Sequence, residues 1–328
     1  MKFKQFTKDQ LPALIKLWNE NATGENGIFK PWTEELFTNK FLNNPHFKNE
    51  SLVLLYKENE LIGAGQANFT NQNPESPGFI TFVVVKKKYQ RQGYGTQILE
   101  KLEKYLKDNG KTFVRCYFGN PTNLEWYVPG YDKHNHPGAP AVEFNSAYYF
   151  LLLSYGYNTN GQLDAFHLEL ENYELPEYVV NKKKENEKDG YFIDFFDPEK
   201  DHGLKELFED LNSPTWFEEI ERQRKLGNLN KLLVVKKDHC ALGFTGPIFT
   251  EPSGRGYLSG VGIHSKVRAR GLGKTMFCEL CLRSKENGAK FMTLFTGSDN
   301  KARNIYLYAG MRIVKSFAIM RKDFKWKK

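Results

Sequence analysis

The chain lacks long apolar runs and has few cysteines. No stretch of 18 apolar residues occurs in its 328 positions, so the sequence predicts no membrane-spanning helix. The opening residues MKFKQFTKDQ lack the apolar stretch of a secretory signal, and we therefore expect a cytoplasmic protein with no membrane partner. The four cysteines, Cys116, Cys240, Cys278 and Cys281, are too few and too unevenly spaced for a disulfide framework. What remains is a globular chain long enough for two domains.

The charge balance is basic, because 47 Lys and Arg against 39 Asp and Glu give a formal net charge of +8. Such a balance suits a phosphate-rich ligand, a nucleic acid or another anionic surface. The cations form four clusters, at residues 86–91, 182–184, 268–274 and 322–328. The second and the fourth are typical of solvated surface. The clusters at 86–91 and 268–274 each lie beside a pair of glycines.

Two forty-residue segments, 79–118 and 257–296, can be aligned at a constant offset of 178. Each predicts an apolar strand, a basic turn with glycines, an apolar-periodic helix, an Asn-Gly stop and a second strand. At this offset Gly93 aligns with Gly271, and the two Asn-Gly stops align as well. A duplicated unit is the simplest explanation.

The duplication extends beyond these segments. Each is preceded by a helix and a hairpin, and is followed by a short helix that ends at Gly156 or Gly310, where the offset is 154. The first copy therefore holds about 24 extra residues, in the Pro-, Gly-, His- and aromatic-rich stretch 119–144. A long loop at this place packs either between the two halves or near a substrate. The expected organisation is an N-terminal domain at 1–180, a charged linker at 181–190 and a C-terminal domain at 191–328.

The two glycine turns are Gln90-Arg91-Gln92-Gly93-Tyr94-Gly95 and Arg268-Ala269-Arg270-Gly271-Leu272-Gly273. A strand that feeds a helix through such a turn leaves the first N–H groups of the helix unpaired, at the positive end of its dipole. This arrangement binds phosphate, and glycine lets the main chain approach the ligand. Two other phosphate motifs do not fit. A Walker loop needs glycine where Arg268 stands, and a dinucleotide fingerprint needs glycine at Ile98 and Met276.

The order strand, Gln/Arg-x-x-Gly-x-Gly turn, helix, strand and short helix ending in glycine, present twice, resembles the GNAT superfamily of acyl-CoA-dependent N-acetyltransferases. The resemblance covers nearly the whole chain, and the tandem arrangement is similar to that of the mycothiol synthases. It implies an α/β (α+β) fold of two tandem GNAT domains, each a mixed, largely antiparallel sheet flanked by helices. It also implies transfer of an acetyl group from acetyl-CoA to a primary amine by direct attack, without a covalent enzyme intermediate and without a metal.

The resemblance further implies which residues bind acetyl-CoA. In the family, the strand before the turn splays from its neighbour at a bulge, its backbone binds pantetheine, and one N–H faces the thioester carbonyl. In the N-terminal copy the matching positions are Val83, Val84, Val85, Gln90, Arg91, Gln92, Gly93, Tyr94, Gly95 and Thr96. In the C-terminal copy they are Val261, Gly262, Ile263, Arg268, Ala269, Arg270, Gly271, Leu272, Gly273, Lys274 and Asn300.

The family usually supplies a tyrosine, four residues before the glycine of the last helix, to protonate the departing CoA thiolate. The C-terminal copy has Tyr306 at this position and the N-terminal copy has Leu152. Because leucine cannot donate a proton, we expect the C-terminal copy to be catalytic and the N-terminal copy to be degenerate. A shifted helix in the first copy would change this, since Tyr148, Tyr149 and Tyr155 lie close to Leu152 in sequence.

The base that deprotonates the incoming amine is not defined by the sequence. Neither strand before a glycine turn contains a carboxylate, and His264, Glu251 and Asp299 are equal candidates in the C-terminal copy. Cys278 and Cys281 form a C-x-x-C pair inside a predicted helix, which is typical of a buried helix face rather than a metal site.

Two alternatives remain beside the acetyltransferase. One is a non-catalytic tandem protein that binds CoA or a partner, which the intact turns and Tyr306 disfavour. The other is a nucleic-acid binder, which lacks a recognition motif, so we expect no nucleic acid partner. The acceptor is expected to be a small-molecule or peptide amine. The chain is expected to be a monomer with an internal pseudo-dimer, or a homodimer.

Overall fold

The computed structural model describes residues 1–131, 133–136, 138 and 141–324. The chain divides into two compact units. Unit 1 contains Met1–Ala165 together with the segment from Lys315 onward, and unit 2 contains Phe166–Val314. Among the described residues, no helix is long and apolar enough to cross a membrane.

Unit 1 is built around a sheet. Its strands are β1 Lys2–Gln5, β2 Leu52–Lys57, β3 Glu60–Phe69, β4 Gly78–Val85, β5 Phe113–Cys116, β6 Trp126–Tyr127, β7 Asn135–His136 and β8 Val142–Glu143. Its helices are α1 Leu11–Asn21, α2 Glu34–Phe37, α3 Tyr94–Asp108 and α4 Ala147–Ser154. A long strand, β9 Asn158–Glu169, then carries the chain into unit 2.

Unit 2 repeats the same succession of elements. Its helices are α5 Glu177–Lys188, α6 Leu204–Leu211, α7 Pro214–Lys225, α8 Leu272–Glu286 and α9 Arg303–Tyr308. Its strands are β10 Phe192–Phe195, β11 Leu233–Lys237, β12 Cys240–Thr245, β13 Val261–Ile263 and β14 Phe291–Gly297. A second long strand, β15 Arg312–Asp323, returns the chain to unit 1.

The sheet of unit 1 runs in the order β1-β2-β3-β4-β5-β15. Its pairs are antiparallel except for β4 and β5, which are parallel. Successive residues of β2 face opposite sides, because Leu54 packs with the aromatic cluster around Trp18 and Leu55 packs with α3. The sheet therefore packs against a hydrophobic core on each of its two faces, and strands β4 and β5 lie between these cores.

The sheet of unit 2 runs in the order β10-β11-β12-β13 and is antiparallel. Strand β14 pairs with β9. An isolated parallel bridge between Arg255 and Phe291 joins the two halves of the unit. The core of unit 2 packs α8 and α9 against these strands, with Phe277 and Met276 fully buried.

The observed units differ from the expected boundaries at residues 180 and 191. The C-terminal strand β15 pairs with β5, with Met320 opposite Cys116, and so completes the sheet of unit 1. The end of β9, from Phe166, belongs to unit 2. Strands that are far apart in the sequence can pair, so the order of the elements along the chain does not by itself reveal this exchange.

The expected linker at 181–190 is also replaced by regular structure, since most of it lies in α5. This stretch contains no glycine or proline before Gly190, and its Lys and Glu residues are good helix formers. Val179 and Asn186 are buried, and Lys183 binds Glu279 of α8 at 2.5 Å. The helix is therefore a packed part of unit 2.

The described part of the extra stretch 119–144 folds within unit 1. Its strands β6 and β7 pair, and Trp126 is fully buried between the His136 ring at 4.8 Å and the Phe317 ring at 5.4 Å. The Trp126 indole donates a hydrogen bond to the Gly138 carbonyl at 3.0 Å. Aromatic packing therefore anchors the insertion to the unit that contains it.

Candidate active site

The glycine turn of unit 1 presents the N-terminus of α3. Arg91 and Gly93 adopt positive φ values of 61° and 80°, and the Gln90 side chain donates to the Val85 carbonyl at 3.0 Å. The first helical hydrogen bond runs from the Gln97 N–H to the Gly93 carbonyl. The N–H groups before Gln97 therefore point out of the helix end, where an anion binds best.

The glycine turn of unit 2 has the same conformation. Ala269 and Gly271 adopt φ values of 66° and 77°, and the Arg268 side chain donates to the Ile263 carbonyl at 3.0 Å. The Thr275 N–H bonds to the Gly271 carbonyl and begins α8. The two aligned sequences thus build the same turn, as the offset of 178 predicts.

The surroundings of the two turns differ. A Cβ placed on Gly93 would meet no atom within 4 Å, whereas a Cβ on Gly271 would lie 3.2 Å from Cγ of Lys182 on α5. Arg270 of the same turn forms an ion pair with Asp189 at 3.3 Å. Helix α5 and the residue after it therefore cover the turn of unit 2, and the turn of unit 1 is open.

The basic cluster at the turn of unit 1 is partly neutralised. Glu60 binds Lys86 at 2.8 Å and Lys88 at 3.0 Å, and these contacts lower the pKa of Glu60 to about 2. In the part of the chain that the structure describes, Lys87 and Arg91 have no ion-pair partner. They are the cations of the first cluster that remain available to a phosphate.

Strands β4 and β5 separate as the family resemblance implies. They pair only at Gly78 with Val114 and at Phe79 with Arg115. The register of β3 on β4 shifts immediately afterwards, so that Thr81 is an extra residue and forms a bulge. Beyond this point the backbone of β4 is released from β5 and can bind a ligand as an added strand.

Two cavities of unit 1 lie along this opening. The first, the donor cleft, has a volume of about 830 Å³ and extends from the glycine turn along β4 and α4. The second, the acceptor cavity, has a volume of about 430 Å³ and lies among β4, the end of β5, the end of α1 and the beginning of the insertion. The residues that line both cavities are Val83, Val85, Gln90, Ala147 and Tyr148. The two spaces therefore meet at β4 and the first turn of α4.

The predicted binding residues of the N-terminal copy fall mostly on these cavities. The donor cleft is lined by Val83, Val85, Gln90, Arg91, Gly93, Gly95 and Thr96. Val84 lines the acceptor cavity. Gln92 instead donates to the Lys88 carbonyl at 3.2 Å, and the ring of Tyr94 packs edge-on against Tyr89.

The residues of the C-terminal copy that the resemblance predicts to bind acetyl-CoA make other contacts. Val261, Gly262 and Ile263 form β13, and Leu272 is buried. The amine of Lys274 lies 3.4 Å above the ring of Tyr308. Gly273 faces Ile305, and the Asn300 side chain accepts from the Ala302 N–H at 3.0 Å in the turn before α9.

Tyr148 lines both cavities, and its hydroxyl approaches the end of β5. The hydroxyl is 3.7 Å from the thiol of Cys116 at the end of β5, and desolvation raises the pKa of Tyr148 well above its usual value. The side chain is therefore a protonated donor over the whole physiological pH range. Leu152, at the family position for this tyrosine, is fully buried. Tyr148 precedes Leu152 by one helical turn and aligns with Ala302 of the C-terminal copy. Shifting the alignment of the last helix by one turn would therefore have pointed to Tyr148.

Tyr306 occupies a different environment. It is 8% exposed and packs between the rings of Phe166 at 5.5 Å and Phe277 at 4.9 Å. Burial raises the pKa of Tyr306 to about 12. Its ring is part of the core of unit 2.

The three base candidates of the C-terminal copy make different contacts. Glu251 forms an ion pair with Arg255, and the nearer nitrogen of His264 accepts from the Lys266 N–H at 3.2 Å. Asp299 lies in the turn after β14, close to Gly297. In unit 1, the described carboxylates that line the acceptor cavity are Glu25 and Glu143, which sequence reasoning did not select.

Comparison with known proteins gives a family and a fold. The family model described as "Acetyltransferase (GNAT) family" matches residues 11–128 and 185–311, well over half of the chain. No curated protein matches the chain by sequence.

Three solved structures illustrate the fold. A fungal multi-domain protein with a GCN5-related glucosamine N-acetyltransferase region is 13% identical, with a TM-score of 0.68 over 98% of this chain, and this chain spans 38% of its length. A GCN5-related N-acetyltransferase from Sphaerobacter thermophilus is 16% identical, with a TM-score of 0.63, over 98% of this chain and 95% of that one. A tandem GNAT protein from the clavulanic acid biosynthesis pathway is 11% identical, with a TM-score of 0.56, over 100% and 99%. These likenesses confirm the predicted tandem fold.

Proposed function

Since the chain belongs to the acetyltransferase (GNAT) family, we propose that unit 1 transfers the acetyl group of acetyl-CoA to a primary amine. The observation that carries this proposal is the meeting of two cavities at β4 and Tyr148. One cavity begins at an open phosphate-binding turn and the other is a separate space for an acceptor. Direct transfer between two substrates requires this arrangement, because both must reach the same carbonyl carbon.

The donor cleft suits acetyl-CoA from end to end. The turn around Gly93 and the cation Arg91 face the pyrophosphate, and the released backbone of β4 runs beside the pantetheine amides. The exposed side chains of Phe150 and Leu153 on α4 give the cleft an apolar wall. The thioester then lies near the bulge at Thr81, at the entrance to the acceptor cavity.

The proposed reaction needs no covalent enzyme intermediate. The amine nitrogen attacks the thioester carbonyl, a C–N bond forms, and the C–S bond breaks to release CoA. A backbone N–H of β4 stabilises the negative charge on the carbonyl oxygen, where a fixed dipole contributes most. Tyr148, which lines both cavities, donates its proton to the departing sulfur. The amine loses its own proton to a base on the acceptor side.

This proposal moves the reaction away from Tyr306, the residue that the family pattern favours. Two substitutions separate the possibilities: Tyr148→Phe and Tyr306→Phe. We expect Tyr148→Phe to lower kcat by about 10²- to 10⁴-fold with little change in the KM for acetyl-CoA, because a general acid acts on the departing thiolate rather than on binding. Release of free thiol with an amine acceptor is the measurement.

Tyr149→Phe is the matched control, since Tyr149 is the next residue of α4 and, among the described residues, its hydroxyl is hydrogen-bonded to Thr159 at 3.4 Å. It should leave kcat near that of the unaltered protein. A loss of turnover in Tyr306→Phe, with full activity in Tyr148→Phe, would place the reaction in unit 2 instead. Binding of acetyl-CoA without thiol release from any amine would support the non-catalytic alternative.

A further inference from the structure

A buried thiol, that of Cys116, contacts the tyrosine to which the proposed reaction assigns the proton transfer. Cys116 is the last residue of β5 and is 3% exposed, and its Sγ lies 3.7 Å from the hydroxyl oxygen of Tyr148. This separation allows a hydrogen bond to sulfur, in which either group can be the donor. Both residues also line the acceptor cavity. The thiol is therefore a direct neighbour of Tyr148 at the proposed site.

The separation of β4 and β5 fixes the position of this thiol. The two strands stop pairing after Phe79 and Arg115, so Cys116 is the first residue of β5 beyond the paired part. On the other side of β5, its backbone pairs with Met320 of β15. Its sulfur accepts a hydrogen bond from the backbone of Ile80, the first residue of β4 beyond the paired part. The thiol is thus held at the point where the two strands diverge.

The proton transfer proposed for Tyr148 creates a buried anion. When the hydroxyl gives its proton to the departing sulfur of CoA, the side chain becomes a phenolate. Desolvation disfavours this anion and raises the pKa of Tyr148 well above its usual value. Thiols are ordinarily more acidic than tyrosine, so an unaided Tyr148 is a weak acid towards a thiolate. The transfer becomes efficient when a hydrogen-bond donor stabilises the phenolate.

Cys116 is placed to be that donor. Burial raises the pKa of its thiol to about 12, although the hydrogen bonds from Tyr148 and Ile80 oppose this rise, so the S–H keeps its hydrogen. Once Tyr148 has lost its proton, its oxygen can only accept a hydrogen bond. A thiol is a weak donor to a neutral partner, but a hydrogen bond to an ionised acceptor is stronger. Among the described residues, the side chain hydrogen-bonded to the Tyr148 hydroxyl is Cys116.

We propose that Cys116 is a positioning residue for the transfer, which holds the Tyr148 hydroxyl in place and donates its S–H to the phenolate as it forms. This inference rests on the proposed acetyl transfer in unit 1. In the step, the proton passes from Oη of Tyr148 to the sulfur of CoA as the C–S bond breaks, and Cys116 keeps its own proton. The phenolate then takes one proton from solvent, which balances the proton that the amine releases.

Two substitutions separate the donor from the space that the side chain fills: Cys116→Ala removes the donor, and Cys116→Ser keeps one. Thiol release is measured with the intact chain, acetyl-CoA and whichever of glucosamine, spermidine and a short peptide with a free amino terminus reacts fastest. We expect Cys116→Ala to lower kcat about tenfold without changing the KM for acetyl-CoA, and Cys116→Ser to have a higher kcat than Cys116→Ala. If Cys116→Ala does not fold, Cys116→Val fills the same space without a donor and should show the same loss.

A double-mutant cycle with Tyr148→Phe shows whether Cys116 acts through the Tyr148 hydroxyl. In the Tyr148→Phe background, Cys116→Ala should cause no further loss, whereas independent effects would multiply. A tenfold loss in both backgrounds would assign the effect to packing and overturn the inference. An unchanged kcat in Cys116→Ala, with a lowered kcat in Tyr148→Phe, would also overturn it and leave the acetyl transfer standing. If none of the three amines releases thiol although acetyl-CoA binds, the proposed function fails, and this inference with it.

Unit 2 offers a matched control. Cys278 is also fully buried and is hydrogen-bonded to Tyr173 and Tyr178. Cys278→Ala therefore removes the same atoms from a similar cysteine–tyrosine contact outside unit 1, and it should leave kcat unchanged. A fall in kcat equal to that of Cys116→Ala would attribute both losses to destabilised packing and contradict the role of Cys116. Circular dichroism at the assay temperature checks that each variant is folded.

Discussion

The two glycine turns of this protein have the same backbone and different surroundings. Both start a helix with a glycine at positive φ, and both are tied to the preceding strand by a side chain, Gln90 in unit 1 and Arg268 in unit 2. Gly93 opens onto empty space, whereas Lys182 lies against Gly271. A duplicated binding motif can therefore keep its local geometry while one copy is covered by an added helix. What a turn can bind depends on its neighbours as well as on its own residues.

The two helices that follow the turns, α3 and α8, are also held by contacts with different elements of the fold. Glu103 of α3 and Glu279 of α8 are both buried carboxylates that bind a lysine. In unit 1 the lysine is Lys322 of the C-terminal strand, and in unit 2 it is Lys183 of α5. The element that covers the second turn is thus also a structural support of unit 2.

The largest expected effect separates the two turns directly. Gly95 and Gly273 are equivalent, and a Cβ would approach Leu151 to 3.1 Å in one case and Ile305 to 3.3 Å in the other. Because the local steric cost is similar, Gly95→Val and Gly273→Val form a matched pair. We expect Gly95→Val to lower kcat/KM for acetyl-CoA on the order of 100-fold and Gly273→Val to have little effect.

Calorimetric titration sharpens this comparison. One acetyl-CoA should bind per chain, and this binding should be lost in Gly95→Val and kept in Gly273→Val. Two equivalents per chain, one of them lost in each variant, would mean that α5 does not close the second turn.

A smaller effect concerns the helix that covers the second turn. Lys183→Ala leaves the buried Glu279 with only the more distant Arg283, at 3.8 Å, so we expect a loss of about 2 kcal/mol in the stability of unit 2. Lys182→Ala is the control, since Lys182 is an exposed partner of Glu185. Urea unfolding followed by circular dichroism measures both. Equal stability of the two variants would remove the proposed role of α5 as a support.

The smallest expected effect is electrostatic and lies at the open turn. Glu60→Gln removes the carboxylate that pairs with Lys86 and Lys88, so acetyl-CoA should bind about two- to threefold more tightly at low salt and unchanged at high salt. Asp108→Asn makes the same change of charge at the far end of α3, and it should not alter binding. A gain of equal size in Asp108→Asn would assign the effect to net charge alone.

The same carboxylate gives a pH dependence. Its pKa is lowered to about 2 in the folded protein, below the ordinary value of 4.5, so its contribution to stability is present above pH 4.5. That contribution is lost as the pH falls from 4.5 towards 2, where the folded carboxylate takes up its proton. Acid unfolding of Glu60→Gln should therefore be less steep over this range than that of the unaltered chain.

The glycine turns and the order of elements could be predicted because each depends on local sequence, whereas the splayed strand was expected only from the family resemblance. Glycines at 93 and 271 permit the left-handed turn, and the apolar periodicity of α3 and α8 marks the helices behind them. The position of Tyr148 could not be derived in this way. A family alignment places Leu152 at the catalytic position, and only the tertiary structure shows that Tyr148 lines both cavities and contacts Cys116 of β5.

The sequence by itself determined that this chain repeats one unit with a glycine turn in each copy, because the spacing of glycines, cations and apolar residues repeats at a fixed offset. Only the tertiary structure decided where strand β15 pairs, that α5 covers Gly271, and which cavities meet at Tyr148. These features arise from contacts between residues far apart in the chain. Local pattern carries no information about which distant surface will cover a turn or complete a sheet.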